Sequence, residues 1–428
     1  MRLRASTYVT MNVYWFGLAV LWNALHPIVL PAVLLDFVPE SLKNTTLGAL
    51  TFAGLVLAMI VQPIAGAMSD RTTTRWGRRR PWMVGGTVIS IVCLLLMARA
   101  QNLAALALTY ILLQLASNTA HGPAQGLIPD MVPAAHRGLA SGLKNLFDMG
   151  GLVVTSLVAG QLMAAGNPGL ALLIVAIVLL LSTLLTVVAT PEPLSAAKDV
   201  PLSGPSGKLR EALAAYPAYT RLLVSRFLIL LGIYVVQSFA QYYIRDWLGL
   251  PSPAAVTGNL MAAIGVALTL LVFPAGWLSD RLGRWPLNIA AGIAAAVGLF
   301  LLVLVRDVTM LYVVGALIGM ATGVFLSVNW ALATDLIPQD EGGKYLGLSN
   351  LATAGAGAAS RLGGPLIDGL NALLPGSFVG YPATFALAAF ATLTGALLLA
   401  RLRRRVRGGT MRAGPDGTTE ELATGRGL

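Results

Sequence analysis

The sequence predicts an all-α membrane protein: twelve transmembrane helices in two pseudo-symmetric six-helix bundles. Three observations predict it. Hydrophobic residues fill 56% of the 428 positions and charged residues only 11%, against about 25% charged in an ordinary soluble domain, and the mean hydropathy is +0.76. The apolar residues fall into runs of about 20, the length that crosses a ~30 Å hydrocarbon layer. The two halves of the chain repeat each other. So little polar surface excludes a soluble enzyme, a disordered chain and a secreted disulfide scaffold, and the single Cys93 has no partner for an internal disulfide.

Each span follows from the same ruler. In the first half the apolar runs lie at roughly 12–35, 45–68, 82–100, 103–128, 139–163 and 169–190; in the second at roughly 223–244, 254–277, 286–305, 308–334, 345–369 and 382–402. The first run, from about Val13, is too long for a cleavable signal peptide, and Pro27 and Pro31 are expected to kink it. Basic residues set the direction. Arg71, Arg75, Arg78, Arg79 and Arg80 crowd the loop after span 2. Lys198, Lys208, Arg210 and Arg221 mark the central linker, and Arg401, Arg403, Arg404 and Arg405 the tail. The opposite loops carry Lys43, Arg99, Arg245 and Arg306, mostly singly. Positive loops stay in the cytoplasm, so both termini are expected there, in a multi-pass protein of the cell (inner) membrane. Basic clusters between apolar runs also account for the net charge of +11 and the pI of about 10.1 without nucleic acid as a partner. The expected organisation is an N-terminal six-helix bundle over 1–190, a cytoplasmic linker over 191–222 with a short surface helix near Lys208–Ala215, a C-terminal bundle over 223–402, and a disordered tail over 403–428.

The repeat is visible in short motifs. Gly66-Ala-Met-Ser-Asp70-Arg71 before span 3 is echoed by Gly276-Trp-Leu-Ser-Asp280-Arg281 before span 9. Asp130-x-x-Pro133 returns 205 residues later as Asp335-x-x-Pro338, and Asn145 and Asn350 keep that offset. Two six-helix halves related by duplication are the mark of a transporter with a central solute site.

The run Gly66-x-x-x-Asp70-Arg71-x-x-x-Arg75-x-Gly77-Arg78-Arg79-Arg80-Pro81 resembles the loop 2–3 signature of the major facilitator superfamily. Its Gly-Arg-Arg-Arg-Pro ending resembles the sugar–cation symporters, including the sucrose–proton group. Asn118-Thr-Ala-His-Gly122-Pro123 is similar to that group's fourth-helix pattern, and Asp246-Trp247-Leu-Gly249 to its motif after the seventh helix. The resemblance implies a monomeric transporter gated by a latch of Asp70, Arg71, Arg75 and Arg78, with Asp280, Arg281 and Arg284 as the weaker copy. At four positions where the sucrose–proton group carries charge this chain has Gln114, Gln125, Ile244 and Leu250. Span 2 lacks the acids with which the melibiose-permease-like branch holds sodium.

Ionisable side chains inside spans are costly and mark candidate function. Lys144 and Asp148 stand at i and i+4 on span 5 and can pair. With a span start near Leu139, Asp148 lies about 14 Å deep, a candidate for proton coupling or solute anchoring. Arg361 on span 11 is able to neutralise it or to bind a solute carboxylate. Neutral amides both donate and accept, as sugar hydroxyls require. Gln62, Gln114, Asn118 and Gln125 offer this on spans 2 and 4, and Asn23 and His26 on span 1. Tyr234, Gln237 and Gln241 recur at i, i+3 and i+7 as one stripe on span 7, and Asn329 and Trp330 on span 10 suit the apolar face of a sugar. Each of these side chains equally fits an interhelical hydrogen bond or a structural ion pair. Arg226, at the inner end of span 7, is expected to snorkel. With no metal-ligand cluster and no nucleophile–base arrangement in the sequence, no metal, cofactor or enzymatic activity is expected. The reading is a secondary active transporter moving a small polar solute, a sugar or glycoside, by alternating access through the lipid bilayer, with a proton as co-substrate. The alternative is a drug or metabolite efflux antiporter of the same superfamily, whose Gly- and Pro-rich signature has its nearest match in Gly363-Gly364-Pro365.

Overall fold

A computed structural model describes residues 4–190, 192, 216–336 and 342–407. In lipid a backbone must satisfy its own N–H and C=O groups, and the apolar runs accordingly form long helices. These are α1 (Ala5–Leu34), α2 (Lys43–Asp70), α3 (Arg80–Met97), α4 (Leu103–Gln125), α5 (Arg137–Ala164), α6 (Pro168–Ala189), α7 (Pro217–Tyr242), α8 (Pro253–Leu282), α9 (Arg284–Leu301), α10 (Val308–Asp335), α11 (Gly342–Ser360), α12 (Gly363–Leu373) and α13 (Gly380–Arg407). Eleven helices among the described residues are long and apolar enough to cross a membrane. The remaining predicted span, 345–369, is split into α11 and α12. Pro365 has no N–H for the Arg361 carbonyl, which accepts from Gly364 N at 3.2 Å instead. Residues 403–407, expected in the tail, instead continue α13 to Arg407, because they have good helix propensity. The surface helix expected near Lys208–Ala215 and the chain beyond Arg407 lie outside the described residues.

The chain divides into two compact units. The first comprises Met1–Leu202 with Ala240–Ala262; the second, Ser203–Phe239 with Ala263–Leu428. Ala240–Ala262, expected with the second bundle, is thus grouped with the first, and α7 and α8 each change unit partway along. Inside the first unit α3 packs on α4 and α6, α1 on α5 and α6, and α2 on α4. Inside the second, α9 packs on α10 and α13, the counterpart of α3 against α4 and α6. The repeat extends to details. Asn102 accepts from Ala105 N (2.8 Å) to cap α4, and Asp307, 205 residues on, accepts from Met310 N (2.9 Å) to cap α10. Gly77 and Gly283, in equivalent loops, both have positive φ (100° and 88°), where a side chain would be strained.

Small residues let the helices approach closely. A Cβ on Gly86 of α3 would stand 2.5 Å from Ala116 O and 2.8 Å from Ala120 N, whereas one on the next-door Gly85 would meet nothing within 4 Å. Gly86→Val is therefore expected to destabilise the protein by about 1–3 kcal/mol, with Gly85→Ala near neutral, as read by thermal unfolding in detergent.

Candidate functional site

The first polar assembly begins with a defect in α1. Pro31 cannot give an N–H to the Pro27 carbonyl, and over Leu25–Val29 the helix widens into a π turn rather than a simple kink. The freed carbonyls are met from the Ala240–Ala262 segment. With its amide nitrogen turned toward α1, Gln241 donates to Ile28 O (2.8 Å) and Pro27 O (2.9 Å), and Tyr242 Oη donates to Pro31 O (2.7 Å). Gln241, read from the sequence as a solute ligand, is instead buried and occupied by backbone. The expected stripe is divided: Gln241 belongs to the first unit, while Tyr234 and Gln237 are half-buried in the second. A second π turn, Tyr243–Trp247, follows α7 and presents Asp246 to Lys43 Nζ at 2.6 Å. Lys43 also holds Glu40 at 2.5 Å, and Glu40 holds Arg245 at 2.5 Å. Charges that look solitary in the sequence thus close into one network. Its central pair is dry, with the Lys43 and Asp246 side chains 3% and 5% exposed.

The second assembly runs along α4. Residues 110, 114, 118, 121 and 125 recur every three or four positions, which places them on one helix face. Tyr110 Oη accepts from Gln114 Nε2 (2.7 Å) and lies 3.0 Å from His26 Nε2. Asn118 Nδ2 donates to Gln114 Oε1 (3.0 Å), and Gln62 Nε2 donates to Asn118 Oδ1 (2.6 Å). Gln125 Nε2 donates to Gln62 Oε1 (3.1 Å). His121 sits between Gln62 and Gln125, 3.3 Å and 3.0 Å from their amide nitrogens. A neutral imidazole has one N–H, so only one of its two ring nitrogens accepts from an amide. Trp22 stacks on His26, centroids 4.9 Å apart and planes at 22°. Across from the Tyr110–Gln114 contact lies Gly54, where a Cβ would come within 2.6 Å of both Gln114 Nε2 and Tyr110 Oη. The structure therefore joins His26, Gln62, Gln114, Asn118 and Gln125, and adds Tyr110, His121 and Trp22. The four-residue spacing from Tyr110 to Gln114 and from Trp22 to His26 is the signal that could have found two of them. Asn23 stands apart, its amide donating to Ala19 O of its own helix (2.8 Å).

An aromatic ring links this network to the charge pair on α5. Lys144 Nζ lies 2.9 Å from Asp148 Oδ2 and 4.0 Å from the Trp15 ring centroid, a cation–π distance. Trp15 in turn meets His121 edge-on at 5.2 Å. Both members of the pair are about a quarter exposed (28% and 26%).

At the start of α3 the arginines have distinct partners. Arg79 contacts Asp70 Oδ1 (2.5 Å), Asp130 Oδ2 (2.9 Å) and Ser69 Oγ (2.5 Å), and Arg78 contacts Asp130 Oδ2 (2.5 Å). Glu192 accepts from the N–H groups of Arg78 (3.0 Å), Arg79 (2.8 Å) and Arg80 (3.3 Å), a carboxylate seated on a helix N-terminus. Gly77 has no Cβ because one would strike that carboxylate. Arg71 and Arg75 are exposed. Sequence reading of this site missed Arg79, Asp130 and Glu192. The Asp130–Asp335 echo was the available sign for one of them, since Arg284 pairs with Asp335 in the second unit and stands 3.7 Å from Asp280. Arg281 instead lies over Trp277 at 3.9 Å.

The second unit holds its own buried polar set. Arg226 does not snorkel. It is 5% exposed, with Nη1 donating to Asn329 Oδ1 (2.7 Å) and Nε to Thr353 Oγ1 (2.9 Å). Arg361 Nη1 donates to Ser238 Oγ. Trp330 is 38% exposed, while its neighbour Asn329 is fully buried.

Comparison with known proteins follows the fold. The family profile described as Major Facilitator Superfamily matches residues 5–360 and 222–421. A lactose permease of Leuconostoc lactis is 39% identical over 62 residues, 14% of this chain and 10% of the permease. The sucrose transport protein SUT1 of Oryza sativa subsp. japonica is 29% identical over 100 residues, 18% of this chain and 19% of that protein. These matches span less than a fifth of either relative's length. Among solved structures, the nucleoside transporter NupG superposes with a TM-score of 0.73 at 13% identity, covering 93% of this chain and 99% of that one. A D-xylose–proton symporter superposes with a TM-score of 0.67 at 17% identity, covering 90% and 95%.

Proposed function

The chain belongs to the Major Facilitator Superfamily and is a multi-pass membrane transporter, and from that premise we propose that it moves a small polar solute, a sugar or glycoside, by alternating access. The observation that carries the reading is the amide–imidazole network from His26 to Gln125. It offers donors and acceptors without net charge along a helix face, beside the stacked Trp22. Hydroxyls need both roles and a sugar's apolar face needs an aromatic plane. The short matches to lactose and sucrose transport proteins lean the same way. Lys144 and Asp148, joined to the network through Trp15, are the proposed coupling pair, with a proton as co-substrate. Arg78 and Arg79 with Asp70 and Asp130 are the proposed gating latch. Asp280, Arg281 and Arg284 are its proposed counterpart, and the termini are proposed to lie in the cytoplasm of a cell whose inner membrane holds the protein as a monomer.

Purified protein in liposomes, offered a panel of radiolabelled mono- and disaccharides with and without a proton gradient, is the test. Accumulation of at least one sugar is expected; none under either condition counts against the reading. Gln62→Leu removes the amide that joins Asn118 to Gln125 and is expected to lower uptake efficiency about tenfold or more, with membrane insertion unchanged.

A further inference from the structure

Burying a guanidinium is costly unless an opposite charge accompanies it, and arginine does not escape by losing its proton. Arg226 is such a group. It lies on α7, 5% exposed, and its hydrogen-bond partners are the neutral Asn329 on α10 and Thr353 on α11. Both partners are neutral, and no carboxylate forms an ion pair with Arg226 among the described residues. The two bonds use Nε and one Nη1 hydrogen. That leaves one Nη1 hydrogen and both Nη2 hydrogens as donors for an anion.

A second observation points the same way. Asn329 is fully buried, its Oδ1 is committed to Arg226, and its Nδ2 has no hydrogen-bond partner. An orphaned buried donor beside a buried cation asks for an acceptor that bears negative charge. Arg361, just past the C-terminus of α11, donates to Ser238 on α7.

We infer that Arg226 is the counter-charge for an anionic solute: the transported sugar or glycoside carries a carboxylate, which Arg226 and the Nδ2 of Asn329 receive. The inference rests on the transport reading above and narrows it from sugars in general to acidic sugars.

The experiment compares D-glucuronate and D-galacturonate with D-glucose and D-galactose, which share the ring and lack the carboxylate. Inorganic phosphate serves as the anion-only control. Ligand-induced thermal stabilisation of the full-length protein in detergent and uptake into liposomes are both read. The acids are expected to stabilise the native protein and to accumulate, while the neutral sugars and phosphate leave it unchanged. Arg226→Met is expected to weaken the acid's effect about thirtyfold or more, and Arg226→Lys to restore part of it. Neutral sugars acting as strongly as the acids would overturn the inference while leaving sugar transport intact. So would acids that act equally on Arg226→Met. A response to phosphate matching that of the acids would overturn the sugar frame. No response or uptake with any member of the panel would overturn both readings. The comparison of acids with neutral sugars needs no variant, so a misfolded Arg226→Met leaves the test decisive.

Discussion

Lys43→Met is expected to lower the unfolding free energy by about 3–5 kcal/mol, because it takes from the buried Asp246 carboxylate its nearer cation and leaves Arg245 Nη1 at 3.8 Å. The Lys43 and Asp246 side chains are 3% and 5% exposed and sit 2.6 Å apart, so water cannot take over the lost contact. Asp246→Leu alone is expected to cost about as much, because Lys43 loses its buried carboxylate and keeps the exposed Glu40 and the Tyr242 ring at 5.6 Å. The double variant Lys43→Met/Asp246→Leu is expected to recover most of the loss, since removing both charges removes the desolvation cost together with the attraction. Thermal or denaturant unfolding in detergent reads all three, and the coupling energy is the decisive quantity. Additive losses would show that the pair does not act as a unit.

Arg79→Gln is expected to cost a similar amount, about 3–5 kcal/mol, and to reduce uptake as well. One guanidinium serves Asp70, Asp130, Ser69 and the Gly66 carbonyl, and its loss takes the bridging cation from two partly buried carboxylates, of which Asp130 keeps Arg78. Arg79→Lys is expected to rescue only a small part, because an ammonium cannot spread over a fork of four acceptors. The exposed Arg75→Gln is the control, expected within about 0.5 kcal/mol. Unfolding midpoints and initial uptake rates separate the outcomes: unchanged stability in Arg79→Gln would mean that the basic loop only sets topology.

Hydrophobic run length located the rods because bilayer thickness leaves one dominant variable, and the Gly-Asp-Arg echo exposed the duplication because loop charges are few. Breaks inside rods were less legible. Pro365 ends α11 only through the carbonyl it fails to serve, whereas Pro63, Pro123 and Pro274 stay inside their helices. The α4 face was legible in part, since Gln114, Asn118 and Gln125 obey helical spacing. Tyr110 was passed over because an aromatic at that spacing reads equally well as packing. Arg226 was misplaced because position along a span cannot reveal that Asn329 and Thr353, 103 and 127 residues away, come to meet it. Glu192 has no local pattern at all: its role depends on three backbone N–H groups brought to it by the fold.

The π turn at Leu25–Val29 holds one residue more than the α turn it replaces. That surplus is a phase shift of about 100° in the direction side chains point, applied once, at a fixed depth. It lets Trp15 and Trp22 look one way while Pro31 turns its carbonyl to Tyr242. Deleting a single residue from Leu25–Val29 would remove that surplus and rotate one end of α1 against the other. Damage from such a frame error would be felt at both ends, with no residue of either contact having been altered.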